Sequence, residues 1–157
     1  MADIKELQTI DFFKTLPENT VVKIASAVQM ETFKQGRVLF RQNENLAALY
    51  MLFAGKVHLK CTSATGKNHT LDEVLPGESF GISAFLGETR STFSAVCAEE
   101  STIMTLSSDT IAELFEADPS VGYTVMYQVV KLFKSRMDKH TRQFITSIGR
   151  HPEIRAL

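Results

Sequence analysis

Two hydrophobic periods divide the chain. Up to about residue 30, apolar positions recur every three or four residues: Ile4, Leu7 and residues 10–13, then Val21, Ile24, Ala25 and Val28 behind Pro17. That spacing puts them on one side of helices, and Pro17 suits an opening helical turn. From Thr32 the period shortens to two, through "TFKQGRVLFRQ", "ALYMLFAGKVHLKCTS", "HTLDEVL", "TFSAVCAE" and "STIMTLS". Gly36, Gly55, Gly66 and Gly77 separate these runs at intervals of roughly ten to twenty residues, the habit of antiparallel all-β structure. The predicted fold is α+β, a single domain over 1–157. N-terminal helices occupy 1–30, an antiparallel, jelly-roll-like β-roll of about eight strands occupies 31–108, and C-terminal helices occupy 109–148.

Period 3.6 returns after the last strand. Ser108 or Asp109 is the expected cap of a helix through "TIAELFEA", and Asp118-Pro119 interrupts it. A second helix is expected from residue 119 to about 148, with Gly149 stopping it. Along it Met126, Val130, Phe133, Met137, His140 and Phe144 alternate steps of four and three, the a/d seam of a coiled coil. Val125, Val129 and Leu132 form a second apolar stripe suited to packing on the β-roll. Thirty helical residues extend ~45 Å, more than a domain of this size needs, so the seam is read as shared with a second subunit in a homodimer.

Composition narrows the class. The 157 residues are 44% hydrophobic and 22% charged, enough for a core and too apolar for disorder. A net charge of −1 counts against non-specific binding to nucleic acid or to an anionic membrane surface. Cys61 and Cys97 both fall in strand-like runs and are expected to be reduced core thiols; neither belongs to a metal-ligand spacing. The four histidines are His58, His69, His140 and His151. None lies at paired metal spacing, the odd separation of His58 from Cys61 places them on opposite strand faces, and no metal site is expected. No nucleophile elbow, phosphate-binding P-loop or helical carboxylate pair is present, so an enzyme is disfavoured. The charged N-terminus lacks a signal-peptide core and the longest uncharged run, 120–130, is too short to span a bilayer, which makes cytoplasm the expected address.

The β pattern breaks once, at "PGESFGISAFLGETRSTFSAV", residues 76–96. Three glycines and a run of small residues there permit close backbone approach, and an arginine follows. The order of helices, β region with a glycine-rich break, and long helix resembles the cyclic-nucleotide-binding domain family. "FFKTLPENTVVKIA" resembles that family's F-x-x-L helix pair. "FKQGRVLFRQNENLAALYMLFAGKVHLKCTSATGKNHTLDEVLPGESFG" resembles its glycine-spaced run and P-G-x-x-F-G cassette entry, so the likeness covers residues 12–106. "FGISAF" and "DPSVGYTVM" are similar to single-domain members that lack the cassette glutamate.

The resemblance implies a phosphate-binding cassette over 76–92 and a cyclic nucleotide, cyclic AMP or cyclic GMP, as ligand, with no other cofactor. It implies ligand contacts from Phe80, Gly81, Ile82, Ser83, Ala84, Arg90, Ser91 and Thr92, with amides of a short helix and an arginine receiving the phosphate. Two departures stand out. Ile82 occupies the place of the glutamate that accepts from the ribose, which would weaken binding by ten-fold to over a hundred-fold. The register of Arg90 has two readings. Taken with "RSTFSAV" it faces the phosphate if the loop shortens by one residue; counted back from "EESTIMTL", Ser91 takes that place and Arg90 points to the opposite face. Glu78 and Glu88 are read as solvent-facing, and Phe85 and Phe93 as neighbours of a less polar pocket. The expected function is a non-catalytic ligand-sensing module that relays occupancy through its C-terminal helix. The alternatives are a dimeric scaffold with a vestigial pocket, or the sensor part of a transcription regulator whose DNA-binding domain is absent. The modest charge and the Gly149 stop favour a natural single-domain protein.

Overall fold

The N-terminus turns helical because its own side chains cap it. Asp3 and Glu6 form a capping box, with Glu6 Oε2 accepting from the Asp3 N–H at 2.9 Å. A computed structural model describes residues 2–87 and 90–150. The N-terminal helices are two single turns, α1 (Ile4–Leu7) and α2 (Asp11–Lys14), followed by α3 (Glu18–Ala25). Eight strands follow: β1 (Gln29–Phe33), β2 (Val38–Phe40), β3 (Ala48–Ala54), β4 (Val57–Thr62), β5 (Asn68–Val74), β6 (Ser79–Phe80), β7 (Ser94–Cys97) and β8 (Ser101–Ser107). A 3-10 helix, Ile82–Leu86, separates β6 from β7, and α4 (Ser108–Ala117) and α5 (Pro119–Arg150) complete the order. The β region thus begins at residue 29 rather than 31.

The strands form two antiparallel sheets of four, ordered β1-β8-β3-β6 and β2-β7-β4-β5. Alternation along β3 and β8 gives the first sheet two buried faces. Leu49, Met51, Met104 and Leu106 join Leu7, Phe13, Ile24, Val121, Val125 and Val129 in a core beneath the helices. Leu52 and Ile103 face the other sheet and meet Phe40, Leu59, Phe80 and Ala95 in a second core. The β3–β4 turn needs Gly55, since its φ is +96° and an added Cβ would lie 2.5 Å from Glu100 O.

Three local expectations change. The cap of α4 is Ser107, whose side chain accepts from the Thr110 N–H at 3.1 Å. Ser107 ends β8 in an extended conformation that already orients its hydroxyl towards the next turn, and Ser108 is helical. Gly149 does not stop α5: glycine ends a helix by adopting positive φ, and Gly149 is not among the positive-φ residues. Cys97 is buried, and burial pushes its thiol pKa up; Cys61 is only half-buried, with its sulfur accepting from Gln42 Nε2. No helix among the described residues is long and apolar enough to cross a membrane.

Candidate ligand-binding site

A cavity of about 440 Å³ lies where α5 passes over the β-roll. Phe40 and Leu59 form its floor, with Leu46. One wall is the break after β6, Gly81 to Ser83, and the facing wall is Ser91 to Phe93. The roof is α5, through Phe133, Arg136, Met137, His140, Thr141 and Phe144.

Gly81 shapes the first wall. Its φ is +76°, and an added Cβ would sit 2.9 Å from Tyr50 Cδ2, so only glycine lets the chain turn tightly against β3. The following helix is five residues of 3-10 geometry. Its Ala84 N–H donates to Gly81 O at 3.1 Å, so this amide is spent within the turn.

The predicted contacts separate into two groups. Gly81, Ile82, Ser83, Ser91 and Thr92 line the cavity, and the structure brings them together. Phe80, Ala84 and Arg90 do not. Phe80 is fully buried between the sheets, its ring 5.5 Å from Tyr50 and 6.1 Å from Phe40, and Ala84 belongs to the same core. Arg90 lies outside the cavity, exposed, donating from Nη1 to Asn43 O at 3.0 Å, where its backbone pairs with Asn45. The register counted back from the last strand is the one found. Ser91 takes the inward place, but its hydroxyl is closed on Phe93, donating to Phe93 O at 2.6 Å and accepting from Phe93 N at 3.2 Å. Phe93 lines the cavity as expected. Phe85 turns away and stacks on Phe115 of α4 at 6.4 Å. Glu78 is tied into its turn, accepting from the Leu75 N–H at 2.8 Å. Glu88 and His151 lie outside the described residues.

The seam expected to serve a second subunit also divides. Met126 packs against the helical core and Val130 is exposed, while Phe133, Met137, His140 and Phe144 line the cavity, the first, second and last of them staying about half exposed or more. The periodicity identified an apolar face, and the β-roll occupies part of it.

Sequence reasoning missed Arg136. Its guanidinium donates to Ser79 O, at the strand that leads into the break, and burial pushes its pKa down against the opposing pull of the Asp72 and Glu78 carboxylates. The available signal was the inner stripe of α5. Val125, Val129 and Leu132 continue, one step of four further, onto an arginine rather than an apolar residue. Lys139 next to it pairs with Asp72, whose side chain is 10% exposed, and His140 Nε2 lies 3.8 Å from Asp72 Oδ2. Among the described residues no group of three or more His, Cys, Asp or Glu could hold a metal ion.

Residues 30–118 match the sequence profile of the cyclic nucleotide-binding domain. The chain belongs to that family. It is a regulatory family rather than a catalytic one. The cyclic nucleotide-binding domain here is 31% identical, over 113 residues, to the cyclic AMP receptor protein of Thermus thermophilus, a match covering 72% of this chain and 52% of that protein. The chain therefore spans about half the length of that relative. The solved catabolite activator protein of Thermus thermophilus superposes with a TM-score of 0.72 at 27% identity, covering 87% of this chain and 63% of the other. A cyclic nucleotide-binding domain from Methylobacillus flagellatus KT gives a TM-score of 0.80 at 17% identity, covering 92% and 81%, a likeness of fold.

Proposed function

We propose that this domain senses a cyclic nucleotide or a related small anion in the cavity beneath α5 and relays occupancy through that helix, without catalysis. The observation that carries the reading is the cavity's position. It is open between the glycine-turned break and the roof of α5, so one ligand touches both the β-roll and the element that would report it. Family membership and the Thermus cyclic AMP receptor protein supply the ligand class. Phe85 offers a second route, since its stacking on Phe115 connects the 3-10 helix to α4, and Phe115 in turn packs against Gly122 of α5. Binding acts by population shift, favouring one placement of α5 over another. Ile82 supplies no acceptor for a ribose hydroxyl, so affinity for ordinary cyclic nucleotides is expected to be low.

The domain is further proposed to act as a homodimer through α5, where Tyr123, Tyr127 and Val130 are all more than half exposed. Calorimetric titration with cyclic AMP and cyclic GMP, alongside sedimentation over a range of protein concentrations, tests both readings. Saturable heat with either nucleotide supports the sensor. No heat from either, together with a concentration-dependent dimer, selects the scaffold with an idle cavity.

A further inference from the structure

The cavity carries its positive charge on the helix, not on the β-roll. Among the described residues that line it, the ionisable ones are Arg136 and His140, both on α5, and no carboxylate is present. Among the described lining residues the β-roll contributes no charged group: Arg90 lies outside and the Ser91 hydroxyl is closed on Phe93, which leaves the neutral Ser83 and Thr92 side chains. Arg136 is different. A guanidinium carries five N–H donors, and among the described residues its one hydrogen bond goes to Ser79 O. The Asp72 and Glu78 carboxylates act on it through space only. A half-buried cation with unused donors on a cavity wall is suited to a bidentate anion.

We infer that Arg136 receives the anionic group of the ligand, and that it exchanges its bond to Ser79 O for bonds to that group when the cavity fills. This rests on the reading of the cavity as an anion sensor and deepens it. Ser79 lies two residues before Gly81, so the exchange releases α5 from the strand entering the break and ties it to the ligand. Lys139 holds the next turn of α5 at Asp72 meanwhile. The ligand class follows from the lining. One end is a phosphodiester or carboxylate able to accept two parallel N–H bonds. The other is a flat or apolar body fitted to Ile82, Phe93, Phe133 and Met137. With no carboxylate among the described lining residues to accept a sugar hydroxyl, ribose and deoxyribose are expected to be treated alike.

The test is calorimetric titration of the whole chain and of Arg136→Gln and Arg90→Gln with cyclic AMP, cyclic GMP and 2′-deoxy cyclic AMP, after thermal unfolding shows that each variant folds. R136Q is expected to weaken binding roughly 10- to 150-fold. R90Q is expected to change it less than about 5-fold, and the deoxy ligand to bind as well as its parent. If R136Q does not fold, Arg136→Lys, which keeps the charge but not the planar fork, is expected to lose about 10-fold. Undiminished binding by the folded Arg136 variant, or a large loss in R90Q, overturns the inference and leaves the sensor reading intact. A wild-type chain that binds none of the three ligands removes the sensor reading and this inference with it.

Discussion

The two halves of α5 are held by different physics. Its first half inserts Val121, Gly122, Val125 and Val129 into the core shared with the N-terminal helices and the first sheet. Among the described residues none beyond Val129 is buried; from Phe133 onwards the helix crosses the cavity, attached through Arg136 to Ser79 and through Lys139 to Asp72. Burial is cooperative and has no substitute, whereas a polar contact can be exchanged for another of similar strength. One continuous helix therefore has a fixed end and a replaceable one. The replaceable end is the one over the cavity.

The sharpest way to break this comparison is to place a charge at one apolar position in each half of the helix. Val129→Asp buries an unpaired carboxylate in the core and is expected to cost more than ~3 kcal/mol in urea unfolding. Phe144→Asp, at a residue 65% exposed on the cavity roof, is expected to cost less than ~0.5 kcal/mol. Similar losses for both would show that the halves are anchored alike. Asp72→Ala removes the acceptor of the second half and is expected to cost ~1–2 kcal/mol. Its mark is faster amide exchange confined to residues 133–150, and equal acceleration in residues 119–132 would count against a separate attachment.

Acid tests the fixed end. Asp118 begins α5 by accepting from the Ser120 N–H at 3.1 Å, and its carboxylate also accepts from Lys23 Nζ at 2.6 Å. The Lys23 hydrogen bond, then those from Ser120 and Val121, hold its carboxyl well below the usual carboxylate range. A depressed native pKa gives stability that is complete above the unfolded value and is lost as pH falls through the native one. The stability gap between wild type and Asp118→Asn is therefore expected to narrow below about pH 4. A gap that widens on acidification contradicts the assignment. The smallest effect belongs to Lys134→Ala, which removes an exposed i,i+4 pair with Asp138 and is expected to cost at most ~0.5 kcal/mol.

The same contrast explains what the chain's pattern disclosed. The apolar run of β3 could be read directly because both faces of its sheet are buried, and the glycine-opened break could be located because Gly81 has a backbone angle that few other residues tolerate. The extent of α5 was legible, though not its passage through Gly149. What the outer seam touches was not legible. A period of 3.5 or 3.6 marks which residues share a face, and says nothing of whether a second subunit or the chain's own β-roll covers it. Phe133, Met137 and Phe144 show this most clearly: they line the cavity and yet remain 57%, 49% and 65% exposed. The arginine that lines the cavity was not legible for a related reason. Arg90 belongs to the linear motif, where one residue of register moves a side chain to the other face. Arg136 lies 46 positions further along and meets the break only through the fold.

The central claim is that the ligand fastens the replaceable half of α5. Amide exchange of the whole chain, with and without saturating cyclic AMP or whichever of the titrated nucleotides binds, tests it most directly. The account predicts that added protection concentrates in residues 133–150 and around Gly81, with residues 119–132 little changed. A bound ligand that protects the β-roll while leaving residues 133–150 as they were would contradict it.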